Sequence, residues 1–120
     1  MGTESRKALI QAYKLTAKEM GVYRIRNTKT DKAYIGFSKD IRARINRHRM
    51  SLKTRSETIK NLQADWLEYG ETTFEFEILD FLEPLDQLNY DPTEDLAMLW
   101  SLWMEKLQPF EPIGYHLKRN

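Results

Sequence analysis

The chain predicts an α+β fold: a small three-stranded antiparallel sheet with helices packed around it, an α/β sandwich. Three observations predict it. Val22-Tyr23-Arg24-Ile25-Arg26 and Phe74-Glu75-Phe76-Glu77-Ile78-Leu79 alternate apolar and polar residues with the period of half-buried strands. Ala33-Tyr34-Ile35-Gly36, short, aromatic and β-branched, returns across the turn formers Asn27-Thr28-Lys29-Thr30-Asp31, so it completes a hairpin. Around these strands apolar residues recur at three-to-four spacing, the signature of amphipathic helices. The expected order is α-ββ-α-α-β-α.

Each helix has its own signals. Within the N-terminal segment 1–19, residues 5–19 read as a helix from Ala8, Leu9, Ala12, Tyr13 and Leu15, and Gly21 ends it. After the hairpin, Ser38 is placed to cap a helix with Asp40 in its first turn, running to about Leu52. Ile41, Ile45 and Leu52 form its apolar stripe; Arg44 and His48, neighbours at i, i+4, lie on or beside that stripe, and Arg42, Arg47 and Arg49 point toward solvent or a ligand. Ser56 followed by Ile59, Leu62, Trp66 and Leu67 starts the next helix, which stops at Gly70. Asp91 as cap, Pro92 at the first helical position and Glu94 at the third open a largely buried helix to Leu107. The tail with Pro109, Pro112 and Gly114 reads as irregular. Trp66, Trp100 and Trp103 are expected in the core.

The 120 residues suit one domain, 1–120, with 41% hydrophobic and 12% aromatic residues to build a core. There is no cysteine, so disulfides and thiolate metal sites are excluded. No run approaches the ~20 apolar residues of a membrane span. The N-terminus has no apolar signal core, and a soluble cytoplasmic protein with no membrane partner is expected. The formal net charge is +1. Residues 1–55 carry 15 basic and 4 acidic side chains, whereas residues 56–120 carry 4 and 14, so a net +11 faces a net −10. That asymmetry suggests a polyanion-binding face. Lys39, Arg42, Arg47, Arg49, Lys53 and Arg55 supply the densest basic run, with Lys29 and Lys32 nearby.

Gly21-Val22-Tyr23, a ten-residue hairpin, Tyr34-Ile35-Gly36, then a capped helix bearing Arg44 and, one turn later, His48: this arrangement resembles the GIY-YIG nuclease family. The resemblance covers residues 21–116. It continues through Leu62-Gln63, Trp66, Gly70, the Phe74 to Leu79 strand, Trp103-Met104-Glu105-Lys106-Leu107 and Gly114-Tyr115. It implies metal-assisted hydrolysis of a DNA phosphodiester, with Tyr23, Tyr34, Arg44 and His48 as catalytic residues. Phosphate contacts are implied from Gly36 and the basic run, and a divalent Mg²⁺ or Mn²⁺ as cofactor. The residue types suit the task. A phenol of pKa near ~10 needs a cationic neighbourhood before it can help deprotonate water, and a guanidinium forks onto phosphate and stays charged.

Two positions depart from the family pattern. Its metal-binding glutamate, three residues before the Trp-x-x-x-Leu segment, is Trp100 here, so the metal ligand is unassigned. Glu94 is six residues away and on another side of that helix, and Glu57, Glu75 and Glu77 are the other carboxylates considered. The asparagine expected after Gly-Tyr is His116, either a polar site residue or an exposed end. Two functions are therefore carried forward: an active endonuclease, and a catalytically impaired nucleic-acid-binding or regulatory protein that has lost its metal. DNA is the expected ligand and RNA the second, and a homodimer or protein partner would use the acidic half.

Overall fold

The hairpin supplies the centre of the molecule. In the computed structural model, which describes residues 18–85 and 87–118, β1 (Gly21–Asn27) is flanked by β2 (Ala33–Ser38) and β3 (Phe74–Phe81), giving the antiparallel order β2-β1-β3. Asn27 closes the turn by accepting at its side-chain oxygen from the Lys29 and Thr30 amides. The helices are α1 (Ile41–Lys53), α2 (Lys60–Tyr69) and α3 (Thr93–Leu107), with a 3₁₀ turn, Glu71–Thr73, before β3. The helix expected over 5–19 lies outside the described residues except for Lys18 and Glu19, which are not helical.

Strand alternation sends side chains to two cores. Tyr23 and Ile25 pack with Ile41, Ile45 and Leu52 of α1, Leu62 and Trp66 of α2, Phe74 and Tyr115. Val22 and Ile35 face the other way, onto Met104 of α3, with Leu99, Trp100, Trp103 and Phe110 around them. Helices therefore cover both faces of the sheet, as the sandwich requires.

Three boundaries differ from expectation. The α1 cap is Asp40, not Ser38: Asp40 accepts from the Ala43 amide, and Ser38 Oγ instead bonds the Asp40 main chain. The second helix does not start at Ser56 but at Lys60, because Glu57 is drawn into the interior and holds residues 54–59 as an irregular loop. Asp91 accepts from the Thr93 amide as a cap would, but Pro92 is the residue before α3 rather than its first. Nor is α3 largely buried. Only Leu96 and Met104 are, while Met98 (67%) and Leu102 (59%), one turn apart on the side away from the sheet, are exposed. Among the described residues no helix is long and apolar enough to cross a membrane.

Candidate active site

Register brings the two phenols together. Tyr23 lies opposite Gly36 and Tyr34 opposite Ile25, so the tyrosines are diagonal neighbours on one face of the hairpin, with ring centroids 6.4 Å apart. A Cβ on Gly36 would overlap the Cζ and hydroxyl of Tyr23. Gly36 is thus buried beneath the ring, and its lack of a side chain is what lets Tyr23 lie flat across the strand. Tyr23 is only 2% exposed, whereas Tyr34 is half-buried and lines a groove of about 1370 Å³ with Ile59, Trp100, Phe110 and His116. Tyr34 is the phenol that faces solvent.

Helix α1 adds the ionisable partners. The Tyr23 hydroxyl and His48 Nε2 are 2.8 Å apart, and the His48 ring stands 5.7 Å from Tyr34, edge-on. Burial pushes the Tyr23 phenol well above its ordinary 10.0; Tyr34 and Glu57 add to the effect, and Arg44 opposes it. Burial, then Glu57, also raises Tyr34, and Arg44 again is the opposing cation. Arg44 is exposed and has no ion pair among the described residues, so its guanidinium is free beside both phenols.

Behind His48 stands a carboxylate. Glu57, 5% exposed, places Oε1 2.5 Å from His48 Nδ1. Its Oε2 accepts from the Thr58 amide at 2.8 Å, and its own amide donates to Gln63 Oε1. Gln63 Nε2 in turn donates to the Leu52 carbonyl, tying the loop to both helices. Among the sequence candidates for a metal-binding acid, Glu57 alone reaches the site. It is buried with both oxygens already engaged. Glu75 and Glu77 lie on the opposite face of the sheet, paired with Arg26 and Arg24.

Trp100 and His116 close the groove side. The Trp100 indole donates to the Ile35 carbonyl at 2.8 Å. His116 stacks on Tyr34 with centroids 4.7 Å apart and rings 10° from parallel, and its Nε2 accepts from the Ile35 amide at 3.0 Å. Burial lowers the His116 pKa from its ordinary 6.5. The tail is further held by Tyr115, whose amide donates to Ala33 and whose hydroxyl donates to Asp65 and accepts from Asn27. His116 is therefore a packed neighbour of Tyr34, not an exposed end.

These donors do not fit a divalent metal. Mg²⁺ and Mn²⁺ take oxygen ligands, and among the described residues the carboxylate beside the phenols, Glu57, is occupied by His48 and main-chain amides. The groove position where the resemblance implies a metal-binding glutamate holds the Trp100 indole. No group of three His, Asp or Glu side chains poised for an ion occurs among the described residues.

The basic run divides by flank. At 3.6 residues per turn, Arg44 and Arg47 share the side of α1 next to His48, and Arg42, Arg49 and Lys53 share the other. On that other side Arg42 pairs with Glu19, Lys53 with Glu71, and Arg49 stands over the Phe76 ring at 4.4 Å. Lys39 pairs with Asp91. Arg47 and Arg55 are exposed, with no ion pair among the described residues. Glu57 was considered from the sequence only as a metal-binding acid; its pairing with His48 across the intervening loop has no signal in residue types or spacing.

Two diagonal tyrosines, a histidine and an arginine with no ion pair among the described residues come together on a hairpin and its following helix, on a small α+β scaffold. The GIY-YIG catalytic domain model matches residues 19–88, more than half of the chain, and the chain belongs to the GIY-YIG nuclease family. Among solved structures it is similar to the catalytic domain of the homing endonuclease I-TevI, at 25% identity and a TM-score of 0.67, covering 83% of this chain and 99% of that one. A point mutant of the same intron endonuclease's catalytic domain matches at 26% identity and 0.63, covering 75% and 84%. None of the curated proteins matches the chain.

Proposed function

We propose that this chain is an endonuclease that hydrolyses DNA phosphodiesters at the face where Tyr34, Tyr23, His48 and Arg44 meet. The observation that carries the reading is the 2.8 Å contact of Tyr23 with His48 beside an arginine that has no ion pair among the described residues. Arg44 binds the phosphate and offsets the charge that develops on its oxygens. Tyr34, which lines the groove, contacts the attacking water. Tyr23 lies behind it and connects it to His48. Contacts to flanking phosphates come from Arg47 and Arg55, with Lys60 and Lys118 on the groove rim.

Trp100 favours a second reading. An indole bonded to Ile35 in place of a metal-binding acid is what a nucleic-acid-binding protein without catalysis would have. Incubating supercoiled, linear and branched DNA with the wild type, Tyr34→Phe and Arg44→Ala, in Mg²⁺ or Mn²⁺, decides between them. Wild-type cleavage that falls at least ~100-fold in Arg44→Ala is expected, in the range of lost transition-state electrostatics. DNA binding without cleavage by the wild type would replace the first reading with the second.

A further inference from the structure

We propose that Glu57 is a positioning residue, which fixes His48 as the Nδ1–H tautomer so that Nε2 accepts the phenol proton of Tyr23. The proposal rests on the nuclease reading for its consequence and on geometry alone for the tautomer. A carboxylate whose second oxygen already accepts the Thr58 amide can only accept from His48 at 2.5 Å, so in the neutral imidazole Nδ1 carries the proton. Nε2 is then a lone pair, and at 2.8 Å Tyr23 must be its donor. The column is buried along its length, and no buried side-chain polar atom among the described residues lacks a partner. Glu57 cannot turn its carboxylate toward the groove without abandoning His48 and the Thr58 amide. The acid is therefore used behind the histidine rather than on a metal.

The consequence for hydrolysis balances. The water oxygen bonds to phosphorus while its proton passes to the Tyr34 oxygen, the Tyr34 proton to Tyr23, and the Tyr23 proton to His48 Nε2. The resulting imidazolium is held by Glu57. As the P–O bond to the leaving oxygen breaks, that alkoxide takes a proton from bulk water, and His48 later returns its own to solvent. No free phenolate forms at any stage, which suits two phenols whose burial opposes ionisation. The arrangement places on an acid and a histidine the proton-accepting work that a lone buried tyrosine could not perform near neutrality.

Long-range ¹H–¹⁵N NMR of the histidine rings tests this directly, because it reads the tautomer without any substrate. The wild type should show His48 with a protonated Nδ1 and a bare Nε2. In Glu57→Gln, isosteric and expected to keep the fold by circular dichroism, the His48 tautomers should mix and kcat should fall roughly 100-fold with KM within about twofold, within the range of acid–base catalysis. Glu57→Ala should lose the tautomer preference altogether. A wild-type His48 protonated at Nε2, or a Glu57→Gln protein with unchanged tautomer and rate, overturns the proposal. Failure of the wild type to cut any DNA sinks the nuclease reading instead, and the NMR result then still decides whether Glu57 sets the tautomer.

Discussion

Gly36 and His116 show how single residues serve the site from outside it. Gly36 has no side chain so that Tyr23 can occupy that volume, and the glycine of the second tripeptide is explained by the tyrosine of the first. His116 does three jobs with one ring: it stacks on Tyr34, accepts the Ile35 amide and so fastens the tail to β2. That ring must be unprotonated at Nε2. Because its folded pKa is lowered from 6.5, the neutral form is favoured by folding. The associated stability is present above the unfolded pKa and is lost as pH falls below 6.5 through the lowered value. We expect the melting temperature to drop between pH 7.5 and 5.5, and His116→Asn to flatten part of that drop. Thermal melts across the range check it, and equal pH slopes for the two proteins would contradict it. That His116 would sit beside Tyr34 was not legible from residue types, since a histidine in a proline-rich tail gives no periodicity to place it.

At the level of elements, α1 was readable and the loop after it was not. Ile41, Ile45 and Leu52 set the buried stripe, and with it the rotation that puts His48 inside and Arg44 at the edge. The loop from Thr54 to Ile59 looked like a helix start, because a serine before an apolar repeat is a normal cap. Its true conformation comes from Glu57, whose carboxylate has stronger partners in the interior than a first helical turn would offer. Helix α3 shows a similar limit: apolar content marked it as buried, yet a helix lying on one sheet face hides one stripe only. Its Trp100 lines the groove beside Tyr34. Trp100→Glu removes the indole bond to Ile35 and much of the packing against Phe37, a loss of roughly 3–5 kcal/mol by analogy with other large-to-small changes. In return it sets a carboxylate at the mouth of the groove. Mn²⁺ should then bind measurably by calorimetric titration, and a folded variant that takes up none would mean position 100 is not where this fold holds a metal.

Across the described residues, part of the charge asymmetry between the halves of the sequence is closed by four ion pairs. Arg24 and Arg26 of β1 pair with Glu77 and Glu75 directly opposite on β3, Lys39 with Asp91 and Lys53 with Glu71, each joining the basic half to the acidic one. The sequence shows the two blocks; it does not show that an antiparallel β1–β3 register lays one against the other. Within the run from Lys39 to Arg55, the side chains with no ion pair among the described residues are Arg44, Arg47 and Arg55, while Lys39, Arg42 and Lys53 have acidic partners and Arg49 a ring. Exposed pairs of this kind contribute little to stability, but they already neutralise the cations that a polyanion would otherwise recruit. Each phosphate neutralised adds about 0.9 to the slope of log affinity against log salt on duplex DNA. Replacing Arg44, Arg47 and Arg55 together by alanine should therefore flatten that slope by about 2.7, three contacts at 0.9 each. The four-fold variant of Lys39, Arg42, Arg49 and Lys53 should flatten it by less than about 1, despite removing more positive charge. Fluorescence anisotropy with a labelled duplex across a salt series measures both. A four-fold variant that flattens the slope by about 3.6 would mean these side chains abandon their partners for phosphate, and that the whole run is the footprint.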